Sequence, residues 1–278
     1  MVKFDGKHWI AKKTRAGPLR IYSYNHVARQ SNGKLGPGGI VAVPNARPDE
    51  YRFEEFHNSA DRIKDITDGR VFYDINWDIY FIKAQEINTK LSDIPITFLA
   101  YNLPFRKNLD DKDGYEVLEN VKELDGILGI TGPKCIKNLE KVLDKYPDLL
   151  GHLDFFVSYS SSATLYGTNK ESMDFYDKNI ADKEFEHPSK KDRHKIGVIS
   201  VSGGHRTPYS PLDYIRNGFT TTIGRSYTEI NKPNDDTFMK NLRESLRNST
   251  KRNLYMKPTV IEKIRHIISI KIVDKFRK

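Results

Sequence analysis

A single cysteine, Cys135, is the chain's only thiol among 278 residues. One thiol excludes an internal disulfide and any multi-cysteine metal site. Cys135 follows a Gly-Pro turn and opens a helix-like run. A helix start lowers a thiol pKa, but a buried structural thiol is the expected role. No run of about eighteen apolar residues occurs, and the opening MVKFDGKHWIAKK has no signal-peptide core. The sequence therefore predicts an intracellular, cytoplasmic protein without a membrane span. Neither a Walker glycine-lysine loop nor a GxGxxG fingerprint is present, and no His/Glu spacing suggests zinc. The expectation is accordingly no metal and no cofactor.

What is present is enough for a packed core. Hydrophobic residues make up 37 % of the chain and aromatics 11 %, which argues against wholesale disorder. The net charge of +9 is unevenly spread. Residues 249–278 hold nine Lys/Arg against Glu262 and Asp274, so the tail carries +7 of it. A nearly neutral body is weak ground for nucleic-acid binding by the main domain. Within the tail, Ile261, Ile264, Ile268, Ile272 and Phe276 recur at three- and four-residue spacing with Lys and Arg opposite. This predicts a basic amphipathic helix. It either packs on its own domain or a second subunit, or contacts an acidic partner such as nucleic acid or a membrane surface.

Short apolar runs alternate with amphipathic stretches. Strands are predicted at 71–76 (VFYDIN), 96–102 (ITFLAYN), 126–131 (GILGIT), 153–159 (LDFFVSY), 196–202 (IGVISVS) and 220–225 (TTTIGR). They are nearly continuously apolar, as strands covered on both faces should be. Helices are predicted at 53–68, 80–90, 114–124, 136–146 and 211–217. This alternation predicts a parallel sheet, and runs at 19–24 and 39–43 would bring the strands to eight. The fold class is thus α/β, a (β/α)8 TIM-type barrel, irregular at its N-terminal end, over residues 1–248, with 249–278 as the helical extension. A polar insertion at about 160–193 follows a strand end and is either a lid or disordered.

The run 196–228 has the mechanics of a phosphate grip. An apolar strand ends in Ser202-Gly203-Gly204, where glycine lets backbone N–H groups approach an anion. Ser210-Pro211 is a good N-cap and N1 pair, Gly218 ends the helix, and the next strand finishes on Gly224-Arg225. Two adjacent strand ends then converge, as in the phosphate site of a barrel. Gly203, Gly204, His205, Arg206, Gly224 and Arg225 are the candidate phosphate contacts, with Arg225 placed for bidentate binding. The bland alternative is that these glycines only make turns and Arg225 pairs with an acid.

This ordered pattern resembles the end of orotidine 5′-monophosphate decarboxylase and its relatives, and Asp125-Gly126-Ile127-Leu128-Gly129 looks like that family's Asp-Gly-hydrophobic strand. The likeness covers under a fifth of the chain, residues 125–131 and 196–228. It implies a lyase-like decarboxylase of pyrimidine metabolism acting on a phosphorylated ribonucleotide or sugar phosphate, and a homodimer. The family's Asp-x-Lys-x-x-Asp corresponds to Asp74-Ile75-Asn76-Trp77-Asp78, where Asn76 stands for lysine and the second aspartate comes one residue early. Period-two geometry would put Asp74, Asn76 and Asp78 on one face as a candidate catalytic set; helix capping and solvation are the alternative. Asn102, Thr131 and Ser158, at other strand ends, are candidate substrate contacts. Two further readings stay open: an inactive barrel descendant that binds a macromolecule through its insertion and basic tail, and a nucleic-acid-binding protein that is not a barrel.

Overall fold

The computed structural model describes residues 1–6, 8–9, 32–33, 35–44, 63–104, 109, 112–160, 168–189, 192–201, 204–205, 227–249 and 253–254. The strands are β1 (Val2–Asp5), β2 (His8–Trp9), β3 (Gly39–Pro44), β4 (Ile63–Asp65), β5 (Val71–Asp74), β6 (Ile79–Leu91), β7 (Ile94–Tyr101), β8 (Ile127–Thr131), β9 (Phe155–Ser160), β10 (Glu184–Glu186), β11 (Arg193–Lys195), β12 (Gly197–Val201), β13 (Gly204–His205), β14 (Tyr227–Ile230) and β15 (Asn253–Leu254). Among the described residues these α-helices accompany them: α1 (Gly114–Glu123), α2 (Gly132–Lys145), α3 (Thr168–Asn179) and α4 (Phe238–Arg247).

The fold is α/β and its centre is a nearly closed barrel of eight strands, in the order β12-β9-β8-β7-β6-β3-β1-β14. Six of them, β1, β3, β6, β8, β9 and β12, run the same way; β7 is antiparallel to both its neighbours, and β14 is antiparallel to β1. The seam lies between β14 and β12, where the Ser200 N–H donates to Thr228 Oγ1 at 2.8 Å. Beyond the carboxyl ends of β1 and β12, the short strands β2 and β13 pair in parallel. β15 pairs with β14, and the Ser249 carbonyl accepts from Val198 N–H.

Period-two alternation divides the core. Phe4, Ile40, Ile82, Leu99, Tyr101, Phe155, Val157 and Ile199 form one buried cluster, while the intervening Phe98, Ile130 and Phe156 pack with Leu139, Val142, Phe175 and Tyr176 of the helices. The first cluster therefore fills the barrel. Tyr101 stacks on Phe155 at 5.1 Å between ring centres, and its hydroxyl donates to the Gly6 carbonyl at 2.8 Å. Gly129 is required here: a Cβ would lie 2.1 Å from the Phe155 ring.

Several expected elements change. Residues 80–90 are not a helix but most of β6, a 13-residue strand joined to β7 by Ser92-Asp93, both at positive φ (43° and 67°). That is the backbone of a two-residue hairpin turn. Residues 63–65, placed in a helix by the sequence, are β4. The insertion carries α3 and the β10–β11 hairpin. Asn169 of α3 closes its entry, accepting from Ser160 N–H and donating to the Ser160 carbonyl, each at 2.9 Å. The predicted elements at 19–24, 211–217, 220–225 and 260–276 lie outside the described residues. No described helix is long and apolar enough to cross a membrane.

Asp154 ties the lower ends of three barrel strands to α4. Its backbone N–H donates to the Leu128 carbonyl and its carbonyl accepts from Gly197 N–H. Its side chain, 6 % exposed, accepts from Leu128 N–H at 2.9 Å and from Arg247 Nε at 2.7 Å. Asp154→Ala strands a partly buried guanidinium and an amide, and is expected to cost about 3 kcal/mol or more. Asp154→Asn, which keeps an acceptor for Leu128, should cost less; urea unfolding of the two variants is the check.

Candidate functional site

The two ends of the barrel differ in kind. At the end where the six parallel strands begin, charges are paired. Arg243 donates to Asp125 Oδ1 at 2.8 Å and to the Asp125 and Gly126 carbonyls. A small cleft there is lined by Asp125, His152, Asp154, His187, Arg243 and Arg247. His152, His187 and His194 lie in a row, the first pair edge-on and the second tilted, with ring centres 5.7 and 6.3 Å apart. His194 Nε2 lies 2.9 Å from the Leu153 carbonyl, which can only accept, so Nε2 carries the proton. At this end a barrel puts its stability rather than its chemistry.

The acidic set Asp74, Asn76 and Asp78 belongs to that same end. It is the turn from β5 into β6, not a strand end at the barrel mouth. Asp74 is buried, and its Oδ1 accepts from the Asn76 and Trp77 amides at 2.9 and 3.2 Å, an Asx cap on the hairpin. Asp78 has φ 46° and accepts from the Tyr73 hydroxyl at 2.9 Å; burial and that bond push the Tyr73 pKa up. Asn102 is turned away from the mouth as well. Because β7 runs backwards, Asn102 lies beside the start of β8, donating to the Asp125 carbonyl and accepting from Arg70. Thr131 lies at the other end of β8, about five residues or 16 Å away along the strand. The structure thus separates Asp74, Asn76, Asp78 and Asn102 from Thr131 and Ser158.

The opposite rim, where the parallel strands end, is polar. Ser158 is the extra residue of a β-bulge: Val157 pairs with Ile199 and Tyr159 with Ser200. Bulges of this kind bend a strand and re-aim its side chains beside active sites. Thr131 pairs with Val157 on the adjoining strand. The Thr131 and Ser158 hydroxyls are buried and have no hydrogen-bond partner among the described residues. Lys134, in the first turn of α2, pairs with the buried Glu86 of β6. Neither was singled out by the sequence, Glu86 because its segment reads as a helix. Lys134 did carry a signal: Thr-Gly-Pro-Lys directly after an apolar strand starts a helix without any acid in its first turn. Cys135 is buried as expected, and burial pushes its thiol up to about 11 against the lowering effect of its Thr97 contacts.

Of the phosphate candidates, Gly204 and His205 are β13, beside His8-Trp9 at this rim. Gly203, Arg206, Gly224 and Arg225 lie outside the described residues. Among the described residues no group of three or more His, Cys, Asp or Glu could hold a metal.

No protein-family profile and no curated protein matches the sequence. Solved structures do match in shape. One is the lesion-specific endonuclease PfuEndoQ from Pyrococcus furiosus, at 16 % identity and TM-score 0.48, over 92 % of this chain and 57 % of that one. Another, from Bacteroides vulgatus, is a two-domain protein containing a predicted PHP-like metal-dependent phosphoesterase, at 13 % identity and TM-score 0.45, over 92 % of this chain and 65 % of that one. The chain thus spans 57 % and 65 % of these two proteins. Neither is a decarboxylase. The resemblance to orotidine 5′-monophosphate decarboxylase is overturned, and with it the lyase activity and the role in pyrimidine metabolism: Asp74, Asn76 and Asp78, the counterpart of that family's catalytic set, form the turn from β5 into β6 at the end of the barrel opposite the β2–β13 rim; an inactive descendant of that family gains no support either.

Burial pulls the pKa of His152 and of His194 below the ordinary histidine value. The unfolded chain then takes up protons first as pH falls through about 6.5. Their contribution to stability is complete above that pH and is lost as pH falls toward the folded-state values. The melting temperature should drop between about pH 7 and pH 5. His194→Gln, which keeps a donor for Leu153, should flatten that drop in a calorimetric pH series.

Proposed function

We propose that this chain binds a phosphoester at the carboxyl-end rim of its barrel. Gly203, Gly204, His205, Arg206, Gly224 and Arg225 serve the phosphate, and Thr131 and Ser158 serve the rest of the ligand. The observation that carries this reading is the meeting at one rim of the β2–β13 pair, the Ser158 bulge and two buried, unpartnered hydroxyls. Buried polar groups without partners are rare in native proteins and call for an explanation; a bound polar ligand supplies one. Asp74, Asn76, Asp78 and Asn102 take no part, because they lie elsewhere on the barrel. The reaction class to test is phosphoester cleavage, which places no demand on the missing lysine at Asn76. A cytoplasmic location belongs to the same reading, as does contact of the basic tail (residues 249–278) with a nucleic-acid strand, which its +7 charge favours.

Thermal unfolding with a panel of sugar phosphates, nucleotides and oligonucleotides tests this. A ligand at about a hundred times its Kd adds about 2.7 kcal/mol, a readily measured shift. Arg225→Ala is expected to weaken that ligand about tenfold or more. If no phosphoester moves the melting temperature, the proposal is wrong.

A further inference from the structure

We infer that the N-terminus of α2 is the seat for a second anionic group of that ligand, beside the phosphate held by the glycine-rich rim, and that it is formed by the Gly132 and Lys134 amides, the Thr131 hydroxyl and the Lys134 ammonium. The inference rests on the phosphoester reading and gives its rim a specific address.

A helix start leaves its first N–H groups without partners inside the helix, and most helices supply one. In α1 the Asp113 carboxylate accepts from Tyr115 N–H at 2.9 Å, and Glu116 adds an acid in the first turn. α2, 14 residues long, has neither: its N-cap is Thr131, no side chain caps it, and no acid stands in its first turn. Lys134 stands there instead, where a cation opposes the helix dipole. A bound anion would reverse that penalty and take up the free amides together.

Independent support comes from Thr131 itself. It is 2 % exposed, and its Oγ1 has no hydrogen-bond partner among the described residues. Along β8, Ile127 belongs to the barrel cluster and the Gly129 Cα faces Phe155, whereas Leu128 and Ile130 pack toward the helices. Period two therefore turns Thr131 to the inner side of the rim. Glu86 shares that side, since it pairs in register with Leu99, which pairs with Gly129. The Lys134–Glu86 ion pair thus turns the ammonium toward the same inner side that Thr131 faces. Amides, hydroxyl and ammonium are the donor set for a phosphate monoester or diester group.

The full-length protein is titrated with inorganic phosphate and then with the phosphoester that most raises its melting temperature, read by amide proton–nitrogen NMR and by calorimetry. The Gly132 and Lys134 amide signals are expected to shift with the same Kd as the heat. Thr131→Val should fold with unchanged or higher stability, because it removes a hydroxyl without a partner, yet bind about tenfold more weakly. Thr131→Ser should restore binding, and a merely structural role for Thr131 would not move the Kd. If Arg225→Ala weakens binding while Thr131→Val and the two amide signals do not respond, the seat is overturned and the phosphoester reading stands. If neither inorganic phosphate nor any phosphoester binds the wild-type chain, both fall together.

Discussion

At the lower end of this barrel the starts of three strands and the helix α4 converge on Asp154. One residue holds the starts of β8, β9 and β12 in register through its backbone and side chain, and anchors α4 through Arg247. A carboxylate buried this deeply is costly unless every lone pair is used. Here the amide of Leu128 and the guanidinium of Arg247 use them, with Arg243 3.6 Å away as a second cation. The arrangement is asymmetric in the useful sense. Strands pinned at their beginnings are left free at their ends to differ in length, to bulge at Ser158 and to meet as β2 and β13.

The same asymmetry separates two kinds of polar group. Below, donors and acceptors are matched: Arg243 with Asp125, Arg247 with Asp154, Tyr73 with Asp78, Tyr80 with Asp235. Burial and the Asp235 bond push the Tyr80 hydroxyl well above the ordinary tyrosine pKa, far from any proton traffic near neutrality. Above, the Thr131 and Ser158 hydroxyls are unmatched among the described residues, and a helix begins without a cap. Satisfied networks rigidify a fold, whereas donors held ready without partners suit a ligand.

Much of the barrel was legible, and the reasons for the rest are specific. Runs at 126–131, 153–159 and 196–202 are buried on both faces, so continuous apolar sequence identified β8, β9 and β12 correctly. The helices at 114–124 and 136–146 were equally plain from their amphipathic spacing. β6 failed for the opposite reason. Its outward residues Phe81 and Ile87 pack under other elements while Tyr80, Ile82 and Ala84 fill the barrel, so no polar face marks the period of two. Its turn uses Ser92-Asp93 rather than an Asn-Gly pair, which hides the hairpin. Missing that hairpin also misdirected Asn102, since a strand assumed parallel was in fact reversed. For Asp74 the sign was available: Asp, Asn and Asp within five residues are turn formers before they are catalysts.

The order of the strands around the barrel also governs how it can be assembled. β6, β7 and β8 follow one another in the chain and pair as neighbours, β6 and β7 through a two-residue turn and β7 and β8 around α1, so their ladders are local in sequence. The β1–β14 ladder beside the seam is different: Val2 pairs with Ile230, joining segments far apart in the sequence. Contacts so distant carry the full entropy of closing a long loop and form only when the intervening strands already hold them near. The cylinder is therefore zipped from its reversed strand outward, and the rim made by β2 and β13 comes into being last, with the closing of the seam.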